Sequence, residues 1–491
     1  MQVLQSAPAP TLMPGHNTRN VAATACLLLA LWSPIAAGSE QTTKLTLPQA
    51  RSVAVSALND RRPELAYSLS KELLKANPKD ASAYFLIARS LQQMHNPKLG
   101  RRAAGYAFRY AQSPTDRFLA AQMAARLSVE AKQYGYAQYW LRRSIDSAPN
   151  ARLRQQTIND FKRVSRENPL NYRFQFSVAP SDNVNSGTDN EYSTATGIPG
   201  GGVISDDGQP LSGVVAKGTF SGTYRLRAGN GSQTQLTAQV STRQIFLSST
   251  AKRKLQSSPF PAIQNKTGRD FSSTTLEIGI AHSFALGRSS TAPNGNGFGR
   301  LSFNIGQQWY ARTPYSRFAT IGFERGFRLD QHRSLKFGAF FTHRDYDDPY
   351  ASKRLEFRAA YSHKFNNGAQ IGTGASFART TAGGNNRNYD STSIYLTHKP
   401  AKPIGPAAAT FTMAASRSDY STYFLLAPFP VSVPGGRQDV TLYGAATFQF
   451  DTLEFAGFSP ALTVSTRQTS SNVSRFDTSE LTLSIGIKSS F

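Results

Sequence analysis

The carboxy-terminal stretch of the chain alternates strictly between apolar residues and polar or small residues. The alternating residues are Leu481, Thr482, Leu483, Ser484, Ile485, Gly486, Ile487 and Lys488. Successive side chains of a β-strand point to opposite sides, so this stretch predicts a strand with one apolar and one polar face. About ten residues of this pattern are typical of a strand that crosses a membrane between lipid and a polar lumen.

The same period of two recurs throughout the second half of the chain, after Asn168 and Pro169. About fourteen segments show it, and they start near residues 171, 213, 232, 270, 299, 316, 333, 352, 369, 389, 406, 437, 454 and 478. A mean hydropathy of −0.39 does not oppose a membrane location, because half of each strand faces water. The sequence therefore predicts a transmembrane antiparallel β-barrel of about fourteen strands over residues 170–491.

The connections between these segments differ in length at the two ends of the predicted barrel. Segments 181–212, 249–269 and 419–436 are long and all follow odd-numbered strands, whereas the Asn366-Asn367-Gly368 sequence predicts a tight hairpin turn after an even-numbered strand. Long loops on the outside and short turns on the periplasmic side are typical of outer-membrane barrels.

The first half of the chain has a helical period. Pro78, Pro114 and Pro149 follow the ends of apolar-periodic segments and are separated by 36 and 35 residues. This spacing is close to the roughly 34-residue period of tetratricopeptide repeats. We predict helix pairs at about 48–76, 80–112 and 115–147 and a capping helix at about 151–166. The resulting domain, residues 39–169, is expected to offer a concave protein-binding surface; a passive spacer or a lid on the barrel is the alternative.

Residues 1–38 have the features of a secretory signal peptide. Arg19 supplies a positive charge, the run from Val21 to Trp32 is too short to span a bilayer, and Ala37 offers a small residue for cleavage. Cys26 is the only cysteine and lies in this segment. The mature protein is therefore expected to lack thiols, which excludes disulfides, zinc–thiolate sites and a cysteine nucleophile.

The chain is strongly basic, with a formal net charge of +25 that both halves share. An exported chain rarely meets nucleic acid, so acidic substrates or the anionic head groups of outer-membrane lipid are the expected partners. The strand register points five basic side chains into the lumen: Arg173, Arg225, Arg354, Arg358 and Lys488. This set could attract acidic cargo, or it could simply balance lumen carboxylates, namely Glu277, Glu324 and Glu356.

A polar sequence, SDNVNSGTDNE at 181–191, follows the first predicted strand. Together with the helical repeats before it and the barrel after it, the Asp182, Asn183 and Asn185 pattern resembles the surface lipoprotein assembly modulators, which are outer-membrane translocators. The resemblance implies a helical domain in the periplasm, a fourteen-strand barrel in the bacterial outer membrane, and delivery of lipoprotein cargo to the cell surface. The implied partners are that cargo, possibly its periplasmic chaperone, and the barrel assembly machinery, for which the terminal aromatic Phe491 looks like the insertion signal.

Two other interpretations of the Asp-Asn pattern remain open. Asp, Asn and Gly are common turn residues. Asp182 and Gly187 also fit positions 1 and 6 of a twelve-residue calcium loop, although Val184 occupies position 3 and Ser193 replaces the bidentate Glu at position 12.

The sequence contains no G-x-S-x-G and no H-E-x-x-H motif, and its histidines have no ligand spacing. We therefore expect no enzymatic activity, no cofactor and no metal site. The alternative functions are an exopolysaccharide export porin and a general solute porin.

Overall fold

The computed structural model describes residues 45–229, 231–287, 296–347, 350–425, 430–453 and 458–489. The expected signal peptide, residues 1–38, and the expected insertion signal, Phe491, lie outside these residues. No helix within the described ranges combines the length and the apolar character that a membrane span requires.

Seven consecutive helices form the amino-terminal part. They are α1 Leu47–Asn59, α2 Pro63–Ala76, α3 Ala81–Gln93, α4 Pro97–Tyr110, α5 Pro114–Glu130, α6 Tyr134–Asp146 and α7 Ala151–Glu167. Each helix packs against the next in sequence, and α1 also contacts α3, as α3 contacts α5. The predicted order of three helix pairs and a capping helix is therefore confirmed.

Small side chains set the close spacing of these helices. Ala66 and Ala137 are fully buried, where the repeat spacing places small residues. In the middle pair Gly100 has this role, because a Cβ atom there would lie 3.1 Å from the Leu127 side chain and 3.2 Å from the Ala88 carbonyl oxygen. The helix starts follow local rules as well: the Asp80 carboxylate accepts a hydrogen bond from the Ala83 amide and caps α3.

Fourteen strands then form one closed antiparallel barrel. They are β1 Leu170–Ser181, β4 Gly213–Gly229, β5 Ser232–Leu247, β6 Ser273–Leu286, β7 Gly297–Tyr310, β8 Thr313–Arg328, β9 Arg333–Tyr346, β10 Ala351–Lys364, β11 Gln370–Ala382, β12 Tyr389–Lys399, β13 Ala408–Tyr420, β16 Arg437–Gln449, β17 Phe458–Ser471 and β18 Thr478–Ser489. The predicted fold class is confirmed. Every strand begins within four residues of its predicted start, the largest difference being 458 against 454.

The two ends of the barrel differ. We call the end at which β1 begins the proximal end; its connections within the described chain include the tight turn at 365–369, where Gly368 adopts φ +95°. The opposite, distal end carries the long segments 182–212, 248–272 and 421–436. These contain the short hairpins β2 Tyr192–Ala195 with β3 Ile198–Val203 and β14 Phe424–Leu425 with β15 Val431–Ser432, and the short helix α8 Ser249–Gln256.

The outer surface of the barrel is apolar. On β18 every second side chain is an exposed aliphatic residue, with Leu481 and Ile485 each 67% exposed. β7 presents Leu301, Phe303 and Ile305 in the same way. Such a continuous exposed apolar surface is unfavourable in water and is suited to a hydrocarbon environment.

The barrel closes where β1 meets β18, and we call this junction the seam. Within the described residues the seam contains four residue pairs, from Gln175–Lys488 to Val178–Ile485. By contrast, β1 pairs with β4 over twelve positions, from Leu170–Tyr224 to Ser181–Gly213. Among the described residues, the seam therefore contains fewer backbone pairs than the junction on the other edge of β1.

Candidate functional site

The inward face of β10 carries three charged residues at alternate positions. The Glu356 carboxylate lies 2.6 Å from Arg358 Nε and 3.5 Å from Arg354 Nε. Arg358 also stacks over the Phe340 ring at 4.4 Å. The two predicted lumen arginines on this strand therefore share one carboxylate.

A second carboxylate lies beside this group. Glu324 on β8 is 3.8 Å from Arg300 on β7 and 3.5 Å from Lys336 on β9. We call the lumen surface of β7–β10 the paired wall, because Arg300, Lys336, Arg354 and Arg358 each lie within ion-pair distance of Glu324 or Glu356.

Arg225 joins the helical part to the barrel. Its guanidinium donates to the Glu167 carbonyl oxygen at the end of α7 at 2.8 Å, and its amide donates to the Pro169 carbonyl oxygen at 2.8 Å. A cation at this place also interacts favourably with the negative end of the helix dipole. The structure thus gives Arg225 a structural contact at the α7–β1 junction.

The other two predicted lumen residues lie near the proximal end of the seam. Lys488 is paired in register with Gln175, and Arg173 lies two residues before Gln175 on the same face of β1. Among the described residues, neither cation has a carboxylate partner within ion-pair distance. They do not contact the paired wall.

A polar cavity of about 420 Å³ lies on the lumen side of the seam, and we call it the seam cavity. Its charged lining consists of Lys217 on β4, Arg243 on β5, Arg467 on β17 and Glu480 on β18. None of these four residues belongs to the predicted set of basic lumen residues or to the lumen carboxylates named with it. Lys217 could have been found from its parity with Arg225 and Glu480 from its parity with Lys488, because residues an even number of positions apart on a regular strand share a face.

The charges of the seam cavity are not paired in the way those of the paired wall are. Lys217 lies directly opposite Arg243 in the β4–β5 register, and Arg467 lies opposite Glu480 in the β17–β18 register. Among the described residues, no carboxylate is within ion-pair distance of Lys217, Arg243 or Arg467. Glu480 accepts a hydrogen bond from the Thr482 hydroxyl at 3.1 Å. The cavity therefore contains three cations and one carboxylate.

The Asp182–Asn185 pattern begins the distal loop 182–212, and Asn183 is buried within it. The Asn183 side-chain amide donates to the Gly187 carbonyl oxygen at 2.8 Å, and its oxygen accepts from the Gly187 amide at 2.7 Å. Only glycine fits at this position, because a Cβ atom on Gly187 would lie 2.3 Å from the Gln209 carbonyl carbon. The Asn183 amide also reaches the Ser479 carbonyl oxygen on β18 at 3.4 Å.

Val184 links this loop to the barrel wall. Its carbonyl oxygen accepts a hydrogen bond from Arg243 Nη2 at 2.6 Å, and its amide donates to the Leu211 carbonyl oxygen at 2.8 Å. The Val184 side chain is fully buried in an apolar cluster with Leu211, Val215, Ile245, Leu247, Ala251, Leu255, Ile263 and Phe271. The loop is thus part of the packed structure of the distal end.

Asn185 ties the two ends of the loop together. Its side-chain amide donates to the Asp207 and Gln209 carbonyl oxygens at 2.8 and 2.7 Å, and its oxygen accepts from the Leu211 amide at 2.9 Å. Asp182 is exposed, and its side chain has no hydrogen bond or ion pair among the described residues. Within the same residues there is no group of three or more His, Cys, Asp or Glu that could hold a metal ion.

Other distal loops complete a cap over this end. The Asp207 carboxylate lies 2.5 Å from Lys266 Nζ, which joins segments 182–212 and 248–272. Burial raises the pKa of the Asp207 carboxyl, but hydrogen bonds from Lys266 and Ser205 outweigh it, so the pKa is lower than its ordinary value. On the other side, the Arg437 guanidinium lies 3.6 Å from the Phe476 ring centroid and pairs with Asp439 at 2.8 Å.

The helical part has a separate groove. A small apolar cavity of about 180 Å³ is formed by side chains of α1, α3 and α5, including Val55, Phe85 and Leu119. Leu119 is 48% exposed and Val55 38%. Arg51 lies at its edge and pairs with Asp80 at 2.6 Å.

The chain is similar to solved structures in each of its two parts. The first tetratricopeptide domain of human RPAP3 matches at 12% identity and a TM-score of 0.22, covering 25% of this chain and 91% of that chain. An OmpT loop-deletion variant, an outer-membrane protein of Vibrio cholerae, matches at 8% identity and a TM-score of 0.32, covering 65% of this chain and 98% of that chain. Acinetobacter baumannii OccAB3 matches at 7% identity and a TM-score of 0.33, covering 65% of this chain and 99% of that chain.

No protein-family profile and no curated protein sequence matches the chain. Sequence identities this low say nothing about a substrate.

Proposed function

We propose that this protein is an outer-membrane translocator that delivers lipoprotein cargo from the periplasm to the cell surface. The apolar exterior of a closed fourteen-strand barrel supports the membrane location. The cargo assignment also draws on the similarity of the Asp182, Asn183 and Asn185 pattern to surface lipoprotein assembly modulators.

The short seam is the observation that carries the proposal. A lipoprotein combines a polypeptide, which needs a polar path, with acyl chains, which are strongly favoured in hydrocarbon. A barrel that parts between β1 and β18 offers both, because the lumen and the bilayer then become continuous along one side. Within the described part of the chain, the four backbone pairs of the seam cost less to separate than the twelve between β1 and β4.

The helical repeats give the proposal a receiving surface. The groove of Val55, Phe85 and Leu119 exposes apolar side chains that a cargo segment or its chaperone could cover. The barrel assembly machinery would insert the chain, and outer-membrane lipid would surround it. The mechanism requires binding and passage only, so no enzymatic step and no cofactor are part of it.

Export of an acidic polysaccharide is a second candidate, which the excess of cations in the seam cavity favours. A polymer without acyl chains would travel along the lumen and would not require the seam to open. The two functions therefore differ in their dependence on the seam.

A disulfide across the seam tests the proposal. Val178→Cys with Ile485→Cys places two thiols at paired positions, and the only native cysteine lies in the expected signal peptide. The control carries Ile305→Cys with Ala319→Cys, which are paired across β7 and β8. Both are expressed in a strain that lacks the native gene, and free thiols are counted to verify closure of each disulfide.

The measurement is the set of lipoproteins that an external protease releases from intact cells. We expect the oxidised seam disulfide to reduce release of the dependent lipoproteins at least tenfold, to the level of the deletion strain, and a reductant to restore it. The control disulfide should leave release unchanged. Normal release with a fully oxidised seam would contradict the proposal, and a loss of acidic polymer alone in the deletion strain would favour the second candidate.

A further inference from the structure

We propose that the seam cavity is a binding site for a phosphate-type oxyanion on a small polar group. The charged lining is Lys217, Arg243, Arg467 and Glu480. This site is separate from the predicted basic lumen residues, and the inference stands whether or not the cargo is a lipoprotein.

The charge of the cavity matches such a ligand. Three cations and one carboxylate leave an excess of two positive charges, and a phosphate monoester carries about −1.5 to −2 at neutral pH. The cations come from three strands, β4, β5 and β17, so their side chains approach the cavity from different directions. Guanidinium groups are well suited to phosphate oxygens because they donate two parallel hydrogen bonds.

The contrast with the paired wall shows that these cations are not simply balanced. Lys217 faces Arg243 across the β4–β5 pair, and like charges directly opposite each other are destabilising. Lys217 and Arg467 have no side-chain hydrogen bond to any other described residue. An anion in the cavity would remove the repulsion and supply acceptors for both side chains.

Hydroxyl groups add neutral donors around the charges. Ser186 enters the lining from the distal loop, and Ser484 does so from β18. Arg243 is already oriented, because Nη2 donates to the Val184 carbonyl oxygen at 2.6 Å and Nη1 to the Phe271 carbonyl oxygen at 3.3 Å. A preoriented guanidinium loses less conformational entropy on binding than a free one.

The position of the cavity allows two sources for the oxyanion. Ser177 and Ala179 of β1 and Thr482 of β18 line it, so it lies where the seam pairing stops at Val178–Ile485. A lipid head group could reach it from the bilayer side of the seam, and a phosphorylated solute could reach it through the lumen. The chemistry that recognises the phosphate is the same in both cases.

Inorganic pyrophosphate is the probe for the test. The full mature chain is purified in dodecyl maltoside, which contains no phosphorus, and the ³¹P line width of pyrophosphate is titrated against the protein. We expect broadening with the native chain and at least a tenfold weaker interaction with Lys217→Gln/Arg467→Gln. Glu480→Gln should bind several-fold more tightly, which a folding defect would not produce.

The matched control removes two cations from the paired wall. Arg300→Gln/Lys336→Gln changes the net charge by the same amount in the same lumen, so general attraction would weaken equally in both double variants. We expect the control to bind like the native chain. Heat-dependent electrophoretic mobility verifies that each variant contains a folded barrel.

A second arm separates the two sources. The delipidated protein is reconstituted with phosphatidylcholine alone or with added phosphatidic acid, whose head group is a phosphate monoester, and retained lipid is measured by native mass spectrometry. Retained phosphatidic acid that pyrophosphate displaces supports the site with a lipid source, and pyrophosphate binding without retained lipid supports it with a soluble source. The proposal is overturned if the native chain causes no broadening, or if Lys217→Gln/Arg467→Gln broadens the signal as much as the native chain does.

Discussion

Two walls of the same barrel use charge in opposite ways. On the paired wall, Glu324 and Glu356 each hold two cations within 4.0 Å. At the seam, Lys217, Arg243 and Arg467 form no ion pair with the described residues. The paired wall also has long strand pairing, from Gly297–Phe327 to Tyr310–Thr313 between β7 and β8, whereas four pairs of the seam lie within the described residues.

The basic residues of the lumen therefore do not all have the same role. Neutralised charges within a continuously paired sheet contribute to a stable wall, because each of the two carboxylates lies within ion-pair distance of two cations. Unpaired cations beside a short junction contribute little to stability and are available to a ligand. The parts of a protein that move or bind are generally drawn from its less stable regions.

Removal of a carboxylate from the paired wall should destabilise the protein more than the other changes considered below. Glu356→Gln would leave Arg354 and Arg358 without their carboxylate, whose side chain is 15% exposed in the native chain. We expect the free energy of unfolding in detergent micelles to fall by about 1–2 kcal/mol, less than for a fully buried pair because water enters the lumen. Urea titration measures this change.

The control for this substitution is Glu72→Gln, which breaks the exposed Lys75–Glu72 pair of 2.7 Å on α2, outside the barrel. We expect almost no change there, because solvent screens an exposed ion pair. Equal effects of the two substitutions would show that burial in the lumen wall does not strengthen the Glu356 pairs.

A second substitution tests the hydrogen bonds that hold the distal loop 182–212 beside the seam. Asn185→Ala would remove three hydrogen bonds and leave the Asp207 and Gln209 carbonyls and the Leu211 amide without this partner. We expect cleavage by a glutamate-specific protease at the exposed Glu191 to become about tenfold faster, which corresponds to a local loss of about 1.4 kcal/mol.

The matched control is Asp182→Asn in the same motif. Because the Asp182 side chain is exposed and has no partner among the described residues, cleavage at Glu191 should stay at the native rate. If both substitutions accelerated cleavage equally, the hydrogen bonds of Asn185 would not be what holds the loop.

The smallest expected effect is a pH dependence of the distal cap. The pKa of the Asp207 carboxyl is lowered in the folded protein, so its contact with Lys266 stabilises the cap above the unfolded value of about 4. This stabilisation is lost as the pH falls through the lowered folded pKa. Hydrogen exchange of residues 204–212, corrected for intrinsic rates, should report a loss below about 1 kcal/mol between pH 5 and pH 3.

Asp207→Asn provides the control for this measurement. The variant lacks the titrating group, so its cap should be less stable at pH 5 and should show no comparable further loss on acidification. An unchanged native cap at pH 3, or an identical pH profile for the variant, would contradict the assignment to Asp207.

The architecture was predictable from the sequence because strands and helices have different periods. Alternation located all fourteen barrel strands, and the proline spacing located the helix pairs. The sharing of one carboxylate on the paired wall could also be predicted from the sequence. Arg354, Glu356 and Arg358 occupy alternate positions of one strand and must therefore share a face.

The seam cavity was harder to predict because it depends on closure of the sheet. Lys217 and Arg243 lie on one hairpin, and Arg467 and Glu480 lie on another. Only pairing of β1 with both β4 and β18 brings the two hairpins together. The contact of Arg225 with the Glu167 carbonyl oxygen similarly depends on where α7 ends beside β4, which alternation does not reveal.

Arg243 connects anion binding in the seam cavity with separation of the strands at the seam. It lines the cavity, and it holds the Val184 carbonyl of a loop whose Asn183 reaches Ser479 across the seam. An anion held by this oriented guanidinium and by Arg467 on the other side of the seam would resist separation of β1 and β18, whereas separation would move the cations of the cavity apart. Because such coupling is reciprocal, occupancy of the cavity and opening of the wall would disfavour each other by the same factor.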